Sequence, residues 1–160
     1  VAHHSHVVAL DGSTPESELK INLELLMDNY SENSDEAISH EWDYWVIGGR
    51  WTDEWRLKPG GRQGPLPMRP QLRAFSHTTD PEHRVTCCAR LRDIEPESIG
   101  EPYSWLDLDD RWYSSWLGPE LSGSMNPDDW MRGEEHMEQF LMWISKLPED
   151  TWLIHVDYHA

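Results

Sequence analysis

The chain has 160 residues, enough for one domain of ordinary size, with hydrophobic residues at 38% and ten tryptophans. It contains no run of about 18 apolar residues, which argues against a transmembrane helix. Its formal net charge of −17 repels phosphate backbones, so free DNA or RNA is a poor partner.

Residues 3–10 (HHSHVVAL) are Val-rich and end at the turn pair Asp11-Gly12, which predicts a first strand. These N-terminal residues lack the basic and long apolar regions of a signal peptide. Ser13 and Glu16 have capping-box spacing around Pro15 and predict a helix start. Leu19, Leu23, Leu26, Met27 and Tyr30 then form one helical stripe. Residues 42–51 (WDYWVIGGRW) predict a second strand interrupted by Gly48-Gly49, which suits a bulge, a tight turn or close approach by another group. Residues 51–57 could return as its hairpin partner.

Residues 58–70 are rich in Pro and Gly and read as a loop; residues 84–91 read equally as a short strand or a helix start. Residues 103–116 predict a hairpin turning at Asp109-Asp110. Asn126, Pro127, Asp128 and Asp129 have the chemistry of a helix start. Met137, Phe140, Leu141 and Ile144 would form that helix's buried stripe, and Pro148 would stop it. Residues 152–158 (WLIHVDY) predict a last strand. The order implies a single α+β domain over residues 1–160. Its expected form is a ferredoxin-like βαββαβ sandwich with a basic insertion at about 58–102, first and last strands side by side and antiparallel.

The charge is unevenly spread. Residues 1–49 hold ten acids against Lys20, residues 50–92 hold nine bases against four acids, and residues 93–160 hold sixteen acids against three bases. The acidic flanks are expected to attract a protein with a basic surface. Cys87 and Cys88 are adjacent, so on a strand they would point apart rather than bridge, and they lack CxxC spacing. A reducing, cytoplasmic setting is the expectation.

Two segments carry candidate site chemistry. His155, Asp157 and His159 alternate along the last strand and so share a face, as do His4 and His6 along the first. If the start of one strand meets the end of the other, the five would gather as a ligand set suited to zinc or a similar divalent metal. In the second segment, Trp42, Tyr44, Gly48, Gly49, Arg50 and Trp51 could form a ligand platform. There the glycines would admit the ligand, Arg50 would grip a phosphate or carboxylate, and the aromatic rings would stack a base. The structural alternative is a bulged strand whose Arg50 pairs with a nearby acid. No GxSxG, HExxH or phosphate-loop pattern is present, and no EF-hand spacing follows Asp107, Asp109 and Asp110.

The segment from Trp42 to Trp51 resembles the W-D-W-Y-x-I-G-G-R-W signature of small uncharacterised proteins of tailed phages, prophages and actinobacterial genomes. Ala89-Arg90 with Asp93-Ile94, and Asp109 to Tyr113, resemble later pieces of that group. Leu147-Pro148 through Thr151 to Val156-Asp157 and His159 resembles its closing L-P-x-D-T-x-L-x-x-V-D-C-H, with Tyr158 in place of the cysteine. The resemblance implies a phage-related origin and carries no agreed activity. Charge and resemblance together lead to one expectation: an acidic binding protein, more a binder than an enzyme, acting in the host cytoplasm as an anti-defence inhibitor of a nucleic-acid-handling protein. The alternative is a metal- or small-ligand-binding domain or enzyme using the His/Asp strand.

Overall fold

The computed structural model describes residues 3–70, 84–115, 130–131 and 133–160. Its elements are β1 (His3–Leu10), α1 (Leu19–Asp28), β2 (Tyr44–Gly49), β3 (Arg69–Pro70), β4 (Cys88–Arg90), β5 (Ser104–Leu106), β6 (Trp112–Ser115), β7 (Trp130–Met131), α2 (Gly133–Lys146) and β8 (Trp152–His159). This is an α+β arrangement around one eight-stranded sheet with the path β3-β2-β8-β1-β5-β6-β7 and β4 also on β8. Among the described residues, no helix is long and apolar enough to cross a membrane.

The centre of the sheet is the β1–β8 ladder. It is antiparallel, as expected for adjacent first and last strands, and runs from His3 opposite His159 to Leu10 opposite Trp152. Val7 to Leu10 and Trp152 to Tyr158 are buried throughout, because helix or chain covers both faces of these strands. α1 lies on one face, where Leu19, Leu23 and Met27 meet Val8, Leu106, Ile154 and Val156. On the other face Trp55, Ile94 and Phe140 meet Val7, Ala9, Trp105 and Leu153. Trp55 is fully buried; a side chain of that size removes about 150–250 Å² from water, worth about 4–6 kcal/mol at 25 cal/mol/Å².

The strand order departs from a ferredoxin-like sandwich, whose neighbouring strands are all antiparallel. Here β1 pairs with β5 in parallel, and β2 crosses to the far edge of β8. β4 occupies the rest of that edge, opposite Ile154 to Trp152, so part of the stretch read as an insertion joins the sheet. Residues 51–54 turn away, and Arg56 and Leu57 bridge to Val85 and Ile94, so this segment is not a hairpin partner of β2. The β5–β6 hairpin forms as expected, with Asp110 at φ 63° in its turn.

Two local readings need correction. The first helix opens through a 3₁₀ turn at Glu16–Glu18 capped by Pro15, and Ser13 donates to Asp11 rather than closing a capping box. Asp11 is the nearer acceptor, one turn pair away. On α2, Met137 and Leu141 are exposed, while His136 and Phe140 are buried with Trp143, Ile144 and Leu147 beside them. The stripe is rotated because the buried His136, whose Nδ1 donates to Glu101, takes a place that apolarity alone gave to Met137. The expected helix start at residues 126–129 lies outside the described residues.

Candidate ligand site at the end of the central strands

Antiparallel partners share a face, so the β1–β8 register sorts the histidines. His3, Ser5 and Val7 lie with His159, Asp157 and His155 on one face. His4 and His6 lie with Tyr158 and Val156 on the other. The expected gathering of His4, His6, His155, Asp157 and His159 is therefore split across the sheet. Among the described residues, no group of three or more His, Cys, Asp or Glu side chains is placed to hold a metal ion.

On the α1 face the imidazoles are packed. His4 stacks on Tyr103 at 4.1 Å between centroids, and burial lowers its pKa to about 4. His6 stacks on Trp112 at 3.9 Å and shares a 2.6 Å hydrogen bond with Ser104 Oγ. Burial lowers its pKa to about 3. Both are neutral rings in an aromatic layer.

The opposite face is hydrogen-bonded. His3 Nδ1 donates to Asp157 Oδ1 at 2.9 Å, and the backbone N–H of Arg50 donates to Asp157 Oδ2 at 2.9 Å. The Asp157 side chain is fully buried, and each of its oxygens has a donor. His159 Nδ1 donates to Asp43 Oδ1 at 2.7 Å. The two rings meet edge to face at 5.3 Å, and both are partly exposed. With Nδ1 committed to a carboxylate, each neutral ring carries its lone pair on Nε2, the arrangement of an oriented base, acid or ligand.

Deeper on this face His155 is fully buried. Its Nε2 shares a 2.7 Å hydrogen bond with Ser5 Oγ, and its ring stacks on Trp55 at 4.4 Å. Burial lowers its pKa to about 3, which makes it a weak base for activating Ser5. His155 Nδ1, Trp51 Nε1 and Trp55 Nε1 are buried without a hydrogen-bond partner. His6 Nε2, Trp105 Nε1, His136 Nε2 and Thr151 Oγ1 are also buried without a partner, so this feature belongs to the core as a whole and not to the site alone.

The Trp-Gly segment meets this face at β2. Tyr44 stands opposite His159 and Val46 opposite Asp157, so Tyr44 belongs to the same face. Tyr44 is half-exposed, and its hydroxyl accepts a 3.4 Å contact from Arg69. Gly48 and Gly49 have φ of 81° and 53° and carry the chain out of β2. A Cβ on Gly49 would overlap the Asp157 carboxylate and lie 2.6 Å from Asp157 Cβ. The second glycine therefore admits a group of the chain itself, a carboxylate from β8, and the turn aims the Arg50 N–H at it. Trp42 belongs elsewhere: its Nε1 donates to Met27 O at 2.7 Å and its ring packs on the α1 core. Trp51 is partly buried next to this turn.

Sequence reasoning missed His3, Ser5 and Asp43. Asp43 lay inside a segment already singled out, and His3 and Ser5 carry the same alternation as His4 and His6, shifted by one residue. Only the register chooses between the two sets.

Burial disfavours the thiolate form of both cysteines. Both are free and buried; burial pushes Cys88 up to about 11 and Cys87 further, with Cys88 and Glu54 adding to the latter. Three of the nine basic residues of the middle segment make the following contacts within the chain. Arg56 pairs with Glu95, Arg62 with Glu16, and Arg90 donates to Gly12 O and Asp150 O while lying over Trp152. Arg50 and Arg69 are exposed, and Arg69 donates to the hydroxyl of Tyr44, the β2 residue opposite His159. No protein-family model, curated protein or solved structure matches this chain.

Proposed function

We propose that this protein binds a small oxyanion, a phosphate or carboxylate group of a soluble ligand, at the His3–His159 pair. The observation that supports this reading is the twin anchoring: two adjacent imidazoles, each held through Nδ1 by a carboxylate. Protonated, each ring offers an Nε2–H donor; neutral, it offers a base. Arg69, held on the Tyr44 hydroxyl, supplies positive charge on the His159 side of the pair, and Tyr44 supplies an aromatic wall. When protonated, the two imidazoles balance the charges of Asp157 and Asp43, and Arg69 supplies the surplus positive charge that an anion needs. Asp43, Tyr44 and the Gly49-Arg50 turn from one segment and Asp157 and His159 from the other supply the site together.

The test is an imidazole-detected NMR titration near pH 6 with inorganic phosphate and, separately, citrate. Shifts at His3 and His159, with His6 and His155 unmoved, are expected, and the preferred anion separates the two ligand classes. Unmoved His3 and His159 resonances with both anions would sink the reading.

A second binding function has its own support. α1 exposes Glu24 and Asp28 with Lys20 as its one base, Glu18 is exposed in the turn just before it, and Ile21 and Leu25 lie in solvent. That surface suits a protein with a basic face, in a phage setting a host nucleic-acid-handling protein held by charge mimicry. Such a complex weakens steeply with salt; a salt-insensitive complex counts against it.

A further inference from the structure

We infer that the groove between α1 and the β5–β6 turn is the seat of a basic, amphipathic helical segment of a partner protein. The inference rests on the second reading above and gives it a place on the molecule.

Ile21 and Leu25 are 55% and 60% exposed, and one helical turn separates them, so they form an apolar stripe on the outer side of α1. Leu25 also lines a groove of about 290 Å³ with Leu10, Thr14, Leu108, Asp11 and Asp110. Leu108, across the groove, is 37% exposed. Leu25 and Leu108 thus place two large, solvent-exposed aliphatic side chains on the lining of one concavity, with Ile21 one turn earlier on α1 extending the apolar surface.

The walls are fixed before any partner arrives. Tyr30 OH donates to Asp110 O at 2.6 Å, which ties the end of α1 to the turn. Asp107 Oδ1 accepts from the N–H groups of Asp109 and Arg111 and holds the turn itself. A preformed groove spares the partner an ordering cost.

The rim decides the charge of the occupant. Asp11, Asp109 and Asp110 are exposed around the groove, and Glu18 and Asp28 lie about one turn before and after the Ile21–Leu25 stripe. Burial, then Asp107 and Asp109, push the Asp110 carboxyl above its usual range. A Lys or Arg arriving there relieves that crowding. An acidic rim around an apolar floor complements a segment with Leu-like anchors at i and i+4 and basic residues between them. The same rim repels an anionic membrane or a nucleic acid.

The probe is a short synthetic helix with Leu at i, i+4 spacing and Lys elsewhere, beside a scrambled peptide of identical composition. Affinity is read by calorimetry at low and moderate salt on the full chain. The patterned peptide is expected to bind about tenfold tighter than the scrambled one, and Leu25→Ser is expected to remove that advantage, since one buried Leu is worth about that factor. Amide exchange should slow at residues 21–28 with the patterned peptide bound. Leu25 is mostly solvent-exposed, so its Ser variant should fold normally, and its melting temperature checks this. Equal binding of both peptides, unaffected by Leu25→Ser, overturns the groove while leaving charge-driven binding intact. No binding of either peptide at low salt overturns both.

Discussion

The two faces of the β1–β8 ribbon are built from alternate residues of the same two strands, yet they treat histidine in opposite ways. On the α1 face His4 and His6 are stacked on aromatic rings, and burial holds them neutral. On the other face His3 and His159 are partly exposed and anchored by carboxylates. His155 shares that second face but sits deeper, over Trp55, and behaves like the first set. An imidazole's chemistry here follows its depth and its Nδ1 partner, not its place in a His-rich segment.

The comparison breaks most strongly with acid. His6 and His155 have folded pKa values near 3, below the ordinary 6.5. As pH falls below 6.5 the unfolded chain takes up protons that the folded chain refuses, so stability is lost. The effect vanishes above pH 6.5 and is complete near pH 3. Each group contributes about 1.4 kcal/mol per pH unit in that window, so the pair is expected to cost about 4 kcal/mol between pH 6.5 and 5. Urea unfolding across this range measures it, and His6→Phe should flatten the slope by about a third to a half, since the less buried His4, lowered to about 4, adds a smaller share. An unchanged slope in that variant would place the acid sensitivity elsewhere.

Gly49→Ala is expected to come next, at about 3 kcal/mol, by combining positive φ with overlap on Asp157. In a chain this long that is a melting shift of about 6–12 °C. A neutral effect would mean that the β2 turn and Asp157 can separate freely.

Asp157→Asn should cost about 2 kcal/mol, because the replacement keeps the shape but weakens two charge-assisted hydrogen bonds. It should also release His3, seen as a change in its ring-proton exchange, and leave His6 untouched. The smallest stability effect is expected for His159→Gln, below about 1 kcal/mol for a partly exposed pair, with His3→Gln somewhat above it because its partner Asp157 is fully buried. Those same variants should lose phosphate or citrate binding. That split, small in stability and large in binding, is what separates the anchored face from the packed one.

Several features were legible in advance. The first strand, the α1 stripe, the hairpin at Asp109-Asp110 and the last strand each come from local periodicity and turn chemistry, and local signals survive folding. The α2 stripe was misread because His136 is buried through its bond to Glu101, a distant acceptor that no local pattern reveals. The path of β2 to β8 was also hidden, since strand order depends on which edge is vacant after β1 and β8 pair.

By itself the sequence determined that His155, Asp157 and His159 share a face, because side chains alternate with period two along any strand. It also implied that the start of β1 meets the end of β8. Only the tertiary structure decided which histidines of β1 join them. A shift of one residue in the ladder would place His4 and His6 there instead of His3 and Ser5. The register is held by burial, with Val8 and Leu10 facing the α1 core and Val7 and Ala9 the other. Apolar packing over the length of the strand thus selects the polar residues at its end.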